Sequence, residues 1–350
     1  MVCGHYLDVT SPYWYSDLTG GERAALDPGL PVGLSRTPDV LVVGGGAVGL
    51  GVAAMCRRAG AKDVVVLERG NLGAGASGGA AGLLNPDMQT ERHLPAAFVD
   101  LCRHSTDLYR HLDAEWEGPF RMRPTLLRAV GDRPRDMPAQ IGLNPRRVVA
   151  ALARHAGAVA TGVEVTGMTV VGDRVTAVRS SIGDFHPGAL VYATGEISRE
   201  WVKSPAAPVK GTIVITEPAG FELEAALIDQ ILVRQLDDGR LLTGSTIDEG
   251  DDVPVVRQEA IDGIRAEVAR MLPEAASLRV ETAWCCFRPG SPDGMPVIDR
   301  FPGLANAWIS VGHYRTGILL APGAGEALAA WIMDGRPPAT IAGLGLARLG

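Results

Sequence analysis

Residues 39–68 read DVLVVGGGAVGLGVAAMCRRAGAKDVVVLE, and the order of residue types in this stretch decides the fold. A short apolar run, Val40 to Val43, meets three glycines; a stretch of small and apolar residues from Leu50 to Ala59 follows and stops at Gly60; a second apolar run ends on Glu68. Short uninterrupted aliphatic runs bounded by turn signals suit strands covered on both faces, and the small-residue stretch has the length of a helix. Strand, turn, helix and strand in about 30 residues make a βαβ unit. Within it, Gly44, Gly46 and Gly49 have GxGxxG spacing. Glycine there permits a tight turn and the close approach of a pyrophosphate to a helix N-terminus, where Ala47 and Val48 stand. Glu68 closes the second strand 19 residues after Gly49, where a carboxylate accepts hydrogen bonds from an adenosine ribose. The stretch therefore predicts dinucleotide binding.

Outward from this unit, composition narrows the partner. With 350 residues, 46% of them hydrophobic and 21% charged, the chain exceeds what a disordered protein allows and is long enough for two domains. A net charge of −7 leaves no basic excess for nucleic acid or an anionic membrane, so a small-molecule partner is expected. Lysine occurs only at Lys62, Lys203 and Lys210, a bias given no mechanistic weight. The five cysteines show no CxxC and no metal-ligand spacing, which fits a reducing compartment. The opening MVCGHYLDVT carries neither a basic leader nor an apolar core, and the uncharged stretch from Val40 to Cys56 falls short of the roughly 20 residues of a membrane span. A cytoplasmic protein with no membrane span and no metal is the expectation.

Along the rest of the chain, residues 1–38 carry an aromatic cluster (Tyr13, Trp14, Tyr15) among turn formers and are expected to form an irregular arm. Leu94 to Trp116 has apolar residues at helical spacing, and Pro145 at a first-turn position opens a helix over Arg146 to His155. Hairpin strands broken at Gly167 and Gly172, and a buried strand in ALVYATG (189–195), come next. Strands near 212–216, 231–235 and 240–243, a helix near 259–271, a strand at 307–311 and a helix at 325–333 complete the reading. Successive strands without intervening helices in the middle of the chain predict an antiparallel sheet unlike the first unit.

Several stretches together resemble the D-amino-acid oxidase superfamily of FAD-dependent oxidoreductases, in particular glycine and sarcosine oxidases. They are ERGNLGAGASGGAAGLL (68–84), GLNPRRVVAAL (142–152), the ATG of VYATG (193–195), WCCFRPGSPDGMPVID (284–299) and GHYRTGILLAP (312–322); the likeness runs from Asp39 to about Arg336. The resemblance implies that FAD is held by Arg69, Ser77, Ala80, Ala81, Gly82 and Leu83 in the small-residue loop. It adds Val165 by its backbone, Thr194, Gly195 and Trp201, and Gly312, Arg315, Thr316, Gly317 and Ile318 in the C-terminal turn. By the same likeness Arg288 stands at the substrate-carboxylate arginine, a task suited to a planar guanidinium with paired N–H bonds. Arg315 stands at the flavin pyrimidine edge, where a cation stabilises arriving negative charge. His313, in the same turn, is a candidate base, although hydride transfer from a neutral amine needs none and a structural role is the other reading.

Two departures from the pattern bear on substrate and cofactor. Glycine oxidases carry a tyrosine in the pocket strand, of the form YxVP, whereas ILVRQ (231–235) places Ile231 there and removes a hydroxyl. Sarcosine oxidases attach FAD through a cysteine two residues before the carboxylate arginine, a column filled here by Cys286. The resulting expectation is an α/β protein with a Rossmann-like FAD-binding domain (39–90, 140–205 and 300–345) and a substrate domain (91–139 and 206–299) on an antiparallel or mixed sheet. Its implied activity is oxidation of the C–N bond of a small amino acid or N-substituted glycine. Hydride would pass to flavin N5, the imine would hydrolyse and molecular oxygen would become peroxide. The alternatives are a dehydrogenase passing electrons to another acceptor, a specialised-metabolism enzyme cleaving a carboxymethyl group from a larger amine, and a non-catalytic FAD-binding subunit.

Overall fold

Val40–Val43 and Val64–Leu67 are buried along their whole length, so each needs cover on both faces, and they pair in parallel. The structure, a computed structural model, describes residues 12–197 and 207–349. Around that pair forms a six-stranded sheet in the order 297–300, 307–311, 189–192, 40–43, 64–67, 158–160. Only the edge strand Val297–Arg300 runs antiparallel to its neighbour. The helix Ala47–Arg58 crosses over between the first two strands, ends in Arg57 and Arg58 where its dipole favours cations, and is followed by Gly60 at φ +104°.

A second sheet of eight strands has the order 280–288, 209–218, 240–244, 232–235, 226–228, 123–129, 135–142, 83–84. Its pairs are antiparallel except that of Ala226–Ile228 with Arg123–Ala129. The hairpin 123–142 and the strand Val280–Arg288 had no counterpart in the sequence reading. Two strands cross the expected domain limits: Leu83–Leu84 pairs with Arg135–Gly142 in the eight-stranded sheet, and Val297–Arg300 enters the six-stranded one. The hairpin Val165–Val171 and Arg174–Ser180 forms a separate two-stranded sheet.

The C-terminal helix is longer than its sequence suggests, covering Gly317–Asp334 with Pro322 inside it. Proline cannot donate to the carbonyl four residues back. That carbonyl, on Ile318, instead accepts the Tyr109 hydroxyl at 2.6 Å. Next to it, the Ser105 hydroxyl donates to the Leu319 carbonyl at 2.6 Å and accepts the Gly323 N–H at 3.0 Å, inserting itself into the helix ladder. Both partners come from the helix Ala96–Glu115, so the two helices are locked by the bonds the proline turn would have lost.

The arm is more ordered than expected. Gly20–Ala25 is a short helix with a reciprocal cap between Thr19 and Glu22, and Trp14 is buried. The arm docks on the helix Pro145–His155: Asn144 Nδ2 donates to the Trp14 carbonyl at 2.9 Å, and Arg147 Nε donates to buried Glu22 at 2.9 Å.

Candidate active site

One cavity of about 1050 Å³ runs between the two sheets. The glycine turn forms part of its wall, and its glycines divide the work. A Cβ on Gly44 would lie 2.4 Å from the Ala193 carbonyl oxygen, and one on Gly49 would lie 2.0 Å from that of Gly44, so both are required for strand and helix to meet. Gly46, by contrast, lines the cavity, and a Cβ there would meet only Ser77 Oγ, at 3.3 Å. Ala47 is wholly buried and gives its N–H to Ser77 Oγ at 3.0 Å; Val48 faces the cavity. Glu68 accepts the N–H groups of Gly45 and Gly70 at 2.7 and 2.8 Å, which ties the end of its strand to the turn.

Arg69, Ser77, Ala80, Ala81, Gly82, Leu83, Val165, Thr194, Gly195, Gly317 and Ile318 all line the same cavity. Gly312 and Thr316 do not; they shape the turn, Gly312 at φ +66° and buried Thr316 by capping the His313 carbonyl through its hydroxyl at 2.8 Å. Trp201 lies outside the described residues.

The small-residue loop is held from behind by three donors. Trp284 Nε1 donates to the Gly79 carbonyl at 3.0 Å, Cys286 Sγ to the same oxygen at 3.5 Å, and Trp14 Nε1 to the Ala80 carbonyl at 2.8 Å. A Cβ on Gly79 would sit 2.7 Å from Cys286 Cβ, so the loop and the strand touch backbone to side chain. Arg234 Nη1 donates to the Gly82 carbonyl at 2.6 Å; burial pushes that guanidinium down to about 10, with Asp237 opposing the shift. Neither the aromatic cluster around Trp14 nor the ILVRQ strand that carries Arg234 points in sequence to this supporting role.

Alternation along Val280–Arg288 places Trp284, Cys286 and Arg288 on one face. Arg288 is buried, lines the cavity and donates to the carbonyls of Lys210 (3.2 Å) and Thr246 (3.0 Å) and to the Ser245 hydroxyl. Among the described residues it has no ion pair. Burial, and then the nearby Arg315, push its guanidinium below the ordinary arginine range. Burial also pushes the Cys286 thiol up to about 11. Ile231 is buried and lines the same cavity.

In the neighbouring turn, tied to the chain after Arg288 by the Tyr314 N–H to the Pro289 carbonyl at 2.8 Å, His313 is buried with Nε2 at 3.0 Å from Ser310 Oγ, and burial lowers it to about 3. Its Nδ1 has no partner among the described residues. Tyr314 adopts φ +47°, and its ring carries Arg92, whose Cζ lies 5.3 Å from the ring centroid. Arg92 also lines the cavity and was not foreseen.

A glycine-lined helix start, a carboxylate at the end of the second strand and a cavity continuing to a buried arginine define a dinucleotide-binding protein. The FAD-dependent oxidoreductase family model matches residues 39–141 and 137–331, and the chain belongs to that family. It is 35% identical over 183 residues to a glycine oxidase of Pseudomonas aeruginosa, covering 50% of this chain and 50% of that protein. With a glycine oxidase of Pseudomonas putida it shares 27% identity over 335 residues, 81% of this chain and 91% of the other. The crystal structure of glycine oxidase from Geobacillus kaustophilus superposes with a TM-score of 0.79 at 22% identity, over 90% of this chain and 99% of that one, which shows the shared fold. No helix among the described residues is long and apolar enough to cross a membrane.

The residues fit FAD, the cofactor this family implies. Gly46 leaves the start of Ala47–Arg58 open, the loop 77–83 presents small side chains to the cavity, and buried His313 keeps an unpartnered nitrogen beside it.

Proposed function

We propose that this protein oxidises the C–N bond of a small amino acid or N-substituted glycine, with molecular oxygen as final acceptor. The observation that carries this reading is Arg288, a buried guanidinium in the cavity wall whose partners are carbonyls and a hydroxyl rather than an acid. Such a group is fixed in direction and still short of a counter-charge, which favours binding a substrate carboxylate. The glycine turn, Glu68 and the loop 69–83 would hold FAD, which would supply a two-electron acceptor for a hydride. The chain's own residues bind the acid, orient the amine-bearing carbon and, through Ile231 and the buried walls, exclude water. His313, lowered to about 3, stays neutral at working pH and does not hold the amine's proton. Ile231 in place of a polar hydroxyl favours substrates larger or less polar than glycine itself.

Anaerobic addition of glycine, sarcosine, N-alkylglycines and D-amino acids to the yellow protein tests the reading. At least one carboxylate-bearing amine is expected to bleach the flavin, and admitted oxygen is expected to restore colour with peroxide released. Bleaching without reoxidation by oxygen would make the protein a dehydrogenase, and bleaching by none would make it a binding subunit.

A further inference from the structure

The cavity holds more positive charge than a substrate with one carboxylate can use. Arg92, Arg288 and Arg315 all line it, and the charge of Arg315 is felt by both of the others. The resemblance gives Arg315 to the flavin edge and Arg288 to a carboxylate, and it leaves Arg92 with no task. Yet Arg92 is a built group. Its Nη1 donates to Gln89 Oε1 at 3.0 Å, Gln89 is itself buried and bonded to the Asn85 carbonyl at 3.4 Å, and its guanidinium lies over the Tyr314 ring. A single donor is engaged among the described residues, so the rest of the fork is open.

No acid answers it. The ionisable groups acting on Arg92 are Arg315, Tyr314 and Cys102, none of them a carboxylate. Adjacent Glu91 is taken by Arg135 at 2.5 Å. Four acids line the cavity: Asp229 is paired with Arg270, Glu68 is bound to the glycine turn, and Glu164 and Glu196 are exposed and do not act on Arg92. Uncompensated like charges in a partly buried site raise the free energy of the empty protein, and a second anion relieves it.

We propose that Arg92, with Arg315 beside it, is a second anion site, and that the substrate is a dianionic amine bearing one carboxylate for Arg288 and a second acidic group for Arg92. The proposal rests on the reading of Arg288 given above and narrows the substrate class to amino dicarboxylates and N-carboxymethyl amino acids.

Binding tests it without turnover. Diglycolate has two carboxylates and no nitrogen to oxidise, and methoxyacetate is its single-carboxylate counterpart. Titrated into the oxidised holoenzyme and followed by the flavin absorbance, diglycolate is expected to bind at least tenfold more tightly. Arg92→Gln should abolish that difference, and Arg92→Lys should restore part of it. In turnover, the ratio of kcat/KM for iminodiacetate over sarcosine should fall at least tenfold in Arg92→Gln, mainly through KM. A merely structural Arg92 would lower both substrates together and leave the ratio unchanged, which overturns the proposal, as does equal binding of the two probes by the wild type. If diglycolate is preferred while no amine is ever oxidised, the second anion site stands and the oxidase reading falls.

Discussion

Arg288 shows how one side chain can be read for function. Its guanidinium is anchored by three backbone or hydroxyl oxygens, so its loss removes a directed charge rather than a flexible one. A charge-assisted hydrogen bond is worth about 1.5–3 kcal/mol, which is roughly ten- to a hundredfold in kcat/KM for Arg288→Ala on a carboxylate-bearing amine. The same variant should lose most of the wild-type preference for the acid over the amine lacking it, and lysine should rescue only partly, because a point charge cannot supply a fork. Equal wild-type rates on acid and plain amine would remove the carboxylate role. Cys286 gives the opposite expectation. Its Sγ faces the Gly79 carbonyl, and burial raises the thiol to about 11, so the thiolate needed for attachment to a flavin is disfavoured. Acid precipitation of the holoenzyme should release all the yellow colour; colour kept in the pellet and lost in Cys286→Ser would show a covalent bond. Arg288 was legible because it sits in FRPG, a distinctive string. Arg92 lies in a loop with no motif, among many arginines, and only its place beside Tyr314 gives it meaning.

At the scale of elements, the legible parts were those whose sequence and packing ask for the same thing. The Val40–Leu67 unit is one: its glycines both make the turn and permit strand and helix to touch. In the helix Gly317–Asp334 the two demands conflict, and the sequence reading found only its later half. A Cβ on Gly325 would come 2.6 Å from the Gly51 carbonyl, and one on Gly51 would lie 2.2 Å from that of Ala321, so the residues that let two helices pack closely are poor helix formers. Pro322 hides the helix further, and the hydroxyls that repair it, Ser105 and Tyr109, lie far away in sequence. The arm's helix is hidden in sequence for a similar reason, since it is stabilised by Glu22 with Arg147, a contact no local pattern contains. Trp14 makes the arm part of the site: it donates to Ala80 and packs edge-on against Trp284 with centroids 6.5 Å apart. Trp14→Phe should cost about 1 kcal/mol for the lost bond, and Trp14→Ala roughly 3–5 kcal/mol for bond and cavity together. Denaturant unfolding measures both, and flavin dissociation should speed up in the same order. An Ala variant as stable and as yellow as the wild type would sever the arm from the loop.

Across the whole molecule, the site is a meeting of two sheets, and the group that couples it to global stability is His313. It sits at the end of the six-stranded sheet's Ala307–Val311 strand, packed in the cavity wall, and burial lowers it from 6.5 to about 3. The sign follows from proton counting. Between those two values the unfolded chain binds a proton on this imidazole and the folded chain does not, so stability is fully present above pH 6.5 and declines as pH falls toward the folded value. The slope approaches about 1.4 kcal/mol per pH unit for one proton, and most carboxylates do not yet titrate in the upper part of that range. Chemical unfolding of the holoenzyme at fixed, saturating FAD between pH 6.5 and 5 should therefore show a loss near that slope, with FAD held constant because ligand binding adds its own stabilisation. His313→Asn keeps a polar group toward Ser310 but has nothing to protonate, so its stability should be flatter over the same interval even if it starts lower. Parallel slopes in the two proteins would mean that His313 is solvated and charged in the folded state, and the cavity wall would then be open to water where the substrate carbon must be kept dry.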